Sequence, residues 1–162
     1  MLNRRTARTL RTMAVGSAGL LLSACSAVTG PDRLDSVARD LSMNMRRWHD
    51  QGYSSYDYVV SNQCFCVLGG VPVRVSVRDA QVVSVVYVST GLPLESNLVS
   101  AYGDVERLFR LIDDAIAAHA ASIRATYDPV LGYPADVFID YARNVADEES
   151  GFRVTSFTPV AR

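Results

Sequence analysis

The most regular hydrophobic pattern in the chain is a strict alternation of valines with other residues. The valines are Val71, Val73, Val75 and Val77. A period of two predicts a β-strand with one buried face and one solvated face. Residues 82–88 are expected to return as the partner strand after a turn at Asp79. A two-residue turn pairs Val77 with Val82, and a three-residue turn pairs it with Val83, which buries the opposite face of the second strand. The pattern leaves both registers open.

Apolar residues at spacings of three and four predict a helix ahead of this hairpin. The stripe consists of Leu34, Val37, Leu41, Met45 and Trp48. Asp32 follows Pro31 and is expected to cap the helix, and Gly52 is expected to end it. His49 lies in the last turn, where a histidine suits the helix dipole. A role for His49 as a ligand or a base is the alternative interpretation.

A second helix is predicted after Asp104, which is its expected cap. Its apolar positions are Val105, Leu108, Phe109, Ile112 and Ile116. That face continues onto His119, which we expect to be a half-buried packing residue rather than a catalyst. Residues 89–103, between the hairpin and this helix, are predicted to form a long loop.

Three further strands are predicted in the last third of the chain. They lie at residues 123–127, 137–141 and 152–158. Between the first two, Asp128, Pro129 and Gly132 supply turn chemistry. A helix followed by three antiparallel strands therefore occurs twice, and a weak internal duplication is one interpretation. This order predicts an α+β fold, with one antiparallel sheet that carries its helices on one face.

The amino terminus has the pattern of a secretory signal. Its arginines are Arg4, Arg5, Arg8 and Arg11. The apolar run at residues 13–24 is too short to cross a bilayer, which needs roughly 20 residues. The run closes with Leu22-Ser23-Ala24-Cys25, which resembles the lipobox of bacterial lipoproteins. The resemblance implies cleavage before Cys25 and acylation that anchors the chain to the lipid bilayer.

These features divide the chain into three parts. Residues 1–24 are predicted to be a signal peptide with a lipobox, 25–31 a lipidated tether, and 32–162 a single globular α+β domain. Two alternatives concern export. One is a soluble secreted protein cut after Ala24, and the other is a twin-arginine signal at Arg4-Arg5.

The charge balance argues against a nucleic-acid partner. All 16 basic side chains are arginine. Without the four in the first eleven residues, twelve arginines face 17 acidic residues, a net charge of about −5 (12 − 17). Nucleic-acid binding requires a basic face that displaces phosphate counterions.

Several motifs recur together in one known group of proteins. They are the lipobox, Tyr56-Asp57-Tyr58 leading into Cys64-Phe65-Cys66, the valine-rich hairpin, and Tyr127-Asp128-Pro129 through Gly132-Tyr133-Pro134 to Ile139-Asp140. In these motifs the chain resembles a family of small bacterial lipoproteins known only as a domain of unknown function. The resemblance covers most of the mature chain and implies secretion and anchoring, but no activity. The family usually has glycine after the hairpin Asp, where this chain has Ala80.

The cysteine pair Cys64 and Cys66 is the chain's main candidate for chemistry. If Cys25 is acylated, these are the two free thiols, and an oxidising compartment favours a disulfide between them. Residues two apart in a flat strand are too far apart for that bond, so a bulge or turn is expected there. A small structural ring, a reducible redox pair, a Cu(I) or Zn²⁺ site supplemented by His49 or His119, an intermolecular bond and free thiols remain alternatives.

The acidic residues suggest a second candidate site. Asp136 and Asp140 share one face of a predicted strand, and Asp147-Glu148-Glu149 lie in the next loop, so a calcium site is one hypothesis. A solvated acidic face is the other. The chain contains no phosphate loop, zinc-protease helix or nucleophile elbow, so no catalytic residue and no cofactor is predicted.

The sequence therefore predicts a membrane-anchored bacterial envelope lipoprotein, and it favours a non-enzymatic role over an enzymatic one. Its globular domain is expected to be a binding or interaction module, with another envelope protein as a candidate partner. The alternative is a thiol redox or soft-metal-handling protein that uses Cys64 and Cys66.

Overall fold

The computed structural model describes residues 31–143, 145 and 148–160, and these form the predicted α+β fold. The elements are α1 (Pro31–Gln51), β1 (Tyr56–Asn62), β2 (Val73–Arg78), β3 (Gln81–Tyr87), α2 (Ser96–Val99), α3 (Val105–Ala117), β4 (Ser122–Tyr127), β5 (Pro134–Asp140) and β6 (Ser150–Pro159). One helix followed by three strands is confirmed in both halves. The short α2 is the departure, because it lies within the segment that was predicted to be a loop.

The first helix begins one residue earlier than its predicted cap. α1 starts at Pro31, so Asp32 lies inside the first turn and not at the predicted cap position. Proline suits the first helical position because it has no N–H and its φ is already helical. Leu41 and Trp48 of the apolar stripe are buried. Gly52 ends α1 as predicted, with a φ of 65° that favours glycine.

The β2–β3 hairpin has a two-residue turn, and a bulge changes its register. Val77 pairs with Val82 beside the turn, and Val75 pairs with Val85 beyond a register shift at Ser76. The extra residue in β3 lets the chain bury Val85 as well. The two-residue turn is therefore correct, but the register that it sets ends at the bulge and does not continue along β3.

The turn itself keeps the shape that glycine would favour. Asp79 and Ala80 have φ values of 48° and 61°. Positive φ at both central residues is the signature of a type I′ turn, which matches the twist of a hairpin. The Ala80 N–H donates to the Ser54 carbonyl at 2.7 Å and holds the turn in place. Alanine thus adopts the left-handed conformation at a cost of about 1–2 kcal/mol.

The second predicted helix is α3. The prediction for its start is confirmed, and the prediction for its end is wrong. Asp104 caps it as predicted, because its side chain accepts a hydrogen bond from the Arg107 N–H at 2.8 Å. The prediction that His119 packs on the same face is wrong. The helix ends at Ala117, and His119 has a φ of 54° and is exposed. The next residue, Ala120, is buried and donates to the Ala115 carbonyl, which completes a Schellman motif.

The six strands form one antiparallel sheet in the order β3-β2-β1-β6-β5-β4. β1 and β6 pair at the centre and join the two halves. Strand residues of both halves pack with the helices in one hydrophobic core. Its largest fully buried members include Tyr58, Phe109, Ile112, Val137 and Phe152. The helices lie on one side, as predicted, and we call the opposite side the open face.

The two halves are not a structural repeat. Placing β1, β2 and β3 on β4, β5 and β6 requires a shift of three strand positions along the sheet. Because all neighbouring strands are antiparallel, each strand would then run opposite to the strand it is placed on, while the helices stay on the same face. That operation is a reflection, which no rotation can reproduce. The weak duplication that the sequence suggested therefore has no counterpart in this fold.

Candidate interaction and thiol site

The predicted interruption after β1 is a compact loop at residues 63–70, which we call the cysteine loop. Both ends of the loop are held by the backbone. The Gln63 N–H donates to the Gly151 carbonyl at 2.8 Å, and the Gly70 N–H donates to the Asn62 carbonyl at 2.7 Å. A Cβ on Gly69 would lie 2.3 Å from the Cys64 carbonyl oxygen, so only glycine allows this close return of the chain. The loop is therefore a projection with a fixed backbone conformation at the end of the sheet.

The two cysteine side chains meet within this loop. Their Sγ atoms lie 2.00 Å apart, at the distance of a disulfide bond, and the Cα atoms are 5.3 Å apart. The turn expected between them is present, because β1 ends before Cys64. The two residues differ in access to solvent, since Cys66 is exposed and Cys64 is half-buried. One sulfur-bearing residue is therefore more open to a reaction partner than the other.

The loop exposes two large apolar side chains. Phe65 is 86% exposed and Val67 is 85% exposed, the highest values for large hydrophobic residues in the described part of the chain. A shallow groove of about 400 Å³ runs from Phe65 to Phe138 and Glu149. Exposed apolar side chains mark an interaction surface where they lie together in one patch, and Phe65 and Val67 are only two residues apart.

The groove leads onto the open face of the sheet. There the Arg124 guanidinium lies 4.6 Å from the centre of the Phe138 ring, a cation–π contact. Nearby, Arg153 binds one carboxylate oxygen of Asp136 through two nitrogens, at 2.7 and 3.0 Å. The open face is thus a polar surface with paired charges, and its apolar border lies toward the cysteine loop.

The predicted calcium arrangement is not formed by the described residues. Asp136 and Asp140 do lie on the open face, but they are four positions apart along the strand, a distance of about 13 Å. Asp136 is already paired with Arg153. Across residues 31–143, 145 and 148–160, no cluster of three or more His, Cys, Asp or Glu is placed to hold a metal ion. Asp147, which was part of the hypothesis, lies outside the described residues.

His49 has a partner that sequence reasoning missed. Its Nε2 atom lies 3.1 Å from Oε1 of Glu106, and the Trp48 Nε1–H donates to the same oxygen at 2.9 Å. Glu106 lies in the first turn of α3, where an acid suits the helix dipole, as His49 suits the end of α1. The group therefore joins two helix ends. An acid in a predicted first turn is a signal that could have placed Glu106 at the start of α3, but not its pairing with His49.

The same contact places His49 too far from the cysteines to bind a metal ion together with them. Trp48 packs edge-on against Tyr56 at the start of β1, whereas Cys64 follows the end of that strand. Seven strand residues span about 23 Å. His49 and Cys64 therefore lie at opposite ends of β1, too far apart to share one metal ion.

The predicted lipidation site, Cys25, lies outside the described residues, as do the signal and most of the tether. None of the helices in the described part of the chain has the length and hydrophobicity that a membrane-spanning helix needs.

The fold and the loop together define a class of protein: a small α+β domain with an open antiparallel sheet and an exposed cysteine-bearing projection. The model of a family of unknown function, DUF6174, matches residues 40–159, which is more than half of the chain. The chain belongs to this family, and the resemblance to a domain of unknown function is confirmed. None of the curated proteins matches the chain.

Proposed function

We propose that this protein is a lipid-anchored lipoprotein of the bacterial cell envelope whose globular domain binds another envelope protein through the cysteine loop. The anchor rests on the lipobox-like residues that end in Cys25. An anchored chain is held by its lipid, so its folded domain is free to present a binding surface to neighbours in the envelope.

The observation that carries the binding proposal is the exposure of Phe65 and Val67 on a shaped loop. An ordered projection loses little conformational entropy on binding, because the backbone is already held in place. Complete burial of a phenylalanine side chain contributes about 1.5–3 kcal/mol. Aromatic residues that enter a pocket on the partner often dominate an interface.

The charges near the loop favour a protein over a lipid surface as the partner. Residues 63–70 contain no charged side chain, and Glu149 lines the groove beside Phe65. Membrane-binding loops usually combine apolar residues with Lys or Arg, because bacterial headgroups are often anionic. A carboxylate at the rim is repelled by such headgroups. We therefore expect a partner pocket that is apolar at its base and basic at its rim.

A photo-crosslinking amino acid placed at position 65 tests this binding in intact envelopes. The control carries the same amino acid at position 83, because Val83 is also strongly exposed, at 61%, but lies on β3 away from the loop. We expect a discrete protein adduct from position 65 that is absent from position 83. Identical adducts at both positions, or adducts only to lipid or to a second copy of the chain, would contradict the proposal.

Intact-mass measurement of the membrane fraction tests the anchor. We expect a chain that begins at Cys25 and carries acyl groups, and a Cys25→Ser variant that lacks them. A full-length, lipid-free chain found in the soluble cell interior would show that the proposed location is wrong.

A further inference from the structure

We propose that the cysteine loop carries out thiol–disulfide exchange, with Cys66 as the sulfur that an incoming thiolate attacks and Cys64 as the leaving sulfur. The substrates would be cysteine thiols in apolar segments of other envelope proteins. The inference rests on the envelope location in the proposed function, because an oxidising compartment keeps the two sulfurs bonded.

The direction of attack follows from the difference in exposure between the two cysteines. An incoming thiolate must reach the attacked sulfur along the line of the S–S bond, and exchange rates depend on that access. Cys66 is exposed, whereas Cys64, two residues after the end of β1, is half-buried. The Gln63 N–H bond to Gly151 holds the residue next to Cys64 on the sheet. The leaving sulfur therefore remains in place, ready to close the bond again.

The exchange balances without a further reagent for one turnover. The substrate thiolate forms a bond to Cys66 Sγ as the Cys64–Cys66 bond breaks, and Cys64 leaves as a thiolate. A second substrate thiolate then attacks the mixed disulfide and releases Cys66 as a thiolate. The substrate loses two electrons and forms a disulfide, and the loop gains two electrons and becomes a dithiol.

The position of the bond in the sequence makes it a poor structural link. Only one residue separates the two cysteines, so the bond closes a very small loop. The entropy that a disulfide removes from the unfolded chain increases with loop length, so this bond stabilises the fold little. The bond and the fold stabilise each other by the same free energy, so the fold protects this bond little against reduction. Exposed disulfides of this kind are the labile ones.

The side chains next to Cys66 indicate the class of substrate. Phe65 and Val67 flank it on both sides and are almost fully exposed. A thiol in an extended apolar segment would contact both side chains as it approaches Cys66. Residues 63–70 carry no charge, so the charge that we expect to affect substrate choice is that of Glu149 beside the groove, which favours basic residues in the substrate.

A glutathione pulse on the full chain in detergent tests the assigned polarity. The reaction is quenched with acid, free thiols are alkylated, and peptide mass mapping locates the glutathione adduct. We expect at least about fivefold more adduct on Cys66 than on Cys64, because access controls the rate. Equal labelling, more adduct on Cys64, or a bond that resists millimolar glutathione would overturn the proposal.

Three single-residue variants separate this chemistry from partner binding. Phe65→Ser should slow exchange with an apolar dithiol peptide by about tenfold, which is a much larger effect than we expect on the reaction with glutathione. Cys64→Ser should retain a Cys66 thiol that forms a mixed disulfide with oxidised glutathione faster than the Cys64 thiol of Cys66→Ser does. If position 65 gives no protein crosslink but the glutathione map holds, the binding proposal fails and the exchange proposal stands. If position 65 gives a protein crosslink but glutathione does not favour Cys66, the exchange proposal fails and the binding proposal stands.

Discussion

Replacement of both loop cysteines by serine, in a Cys64→Ser/Cys66→Ser variant, should cost little stability. A disulfide stabilises a protein mainly by restricting its unfolded chain, and this one encloses a loop of three residues. The chain-entropy relation gives about 1.6 kcal/mol for such a loop, compared with about 3 kcal/mol for a loop of 15 residues. We therefore expect a loss of about 1–2 kcal/mol in the free energy of unfolding.

The rest of the loop supports this small value. Its ends are held by the Gln63 and Gly70 hydrogen bonds, and the Val71 N–H donates to the Leu68 carbonyl at 3.1 Å. None of these bonds involves a sulfur atom. The exposed Phe65 contributes little to the core, so its movement after loss of the bond leaves the core packing intact. The loop should keep its position on the sheet in the variant.

Urea unfolding followed by tryptophan fluorescence measures the effect. Trp48 is the single tryptophan and is only 3% exposed, so its emission reports loss of the core. For a domain of this size, a loss of 1–2 kcal/mol lowers Tm by about 3–8 °C. The control is the unmodified chain treated with a reductant, which should match the variant. A loss above about 3 kcal/mol, or failure to fold, would refute the reasoning and make the bond a structural staple.

Two further predictions concern the fold around the site. Ala80→Gly should raise the free energy of unfolding, measured in urea, by about 0.5–1 kcal/mol. Glycine adopts the left-handed conformation without strain, but the greater entropy of its unfolded chain offsets part of that gain. The control Gln81→Gly, at an ordinary strand position, should lower stability, and equal effects of the two changes would contradict the strain argument. Burial raises the pKa of Tyr56 to about 12, so the folded state holds the phenol proton more tightly than the unfolded state. The stability from this group is present below about pH 10 and should be lost, by about 2 kcal/mol, as the pH rises from about 10 to 12. Unfolding measured across that range should show a smaller fall in Tyr56→Phe, and an unchanged fall would exclude Tyr56 as a cause.

Sequence reasoning was most successful where one local pattern was sufficient. The alternation of Val73, Val75 and Val77 predicted a strand, and all three side chains are fully buried on one face. Asp104 predicted the start of α3, because a capping side chain acts on amides only a few residues away. These predictions depend on short-range geometry that the residues carry with them.

The errors and the open choices occurred where the pattern fits more than one local backbone arrangement, or where the partner lies far away in the sequence. The stripe of α3 continued onto His119, but a left-handed residue ends the helix there and Ala120 takes the buried position. The hairpin register could not be chosen, because a bulge allows both Val82 and Val85 to face the core. Glu106 could not be linked to His49, since the two are 57 residues apart in sequence.

For the candidate site, the sequence alone identified which residues are candidates for chemistry, and it predicted a turn wherever the two cysteines are bonded. Bond lengths and strand geometry require that turn wherever the chain leads. Only the tertiary structure decided that Cys66 is exposed while Cys64 is half-buried, and that Phe65 points away from the core. Exposure depends on what β6 and the rest of the sheet cover, and those neighbours lie far away in the sequence.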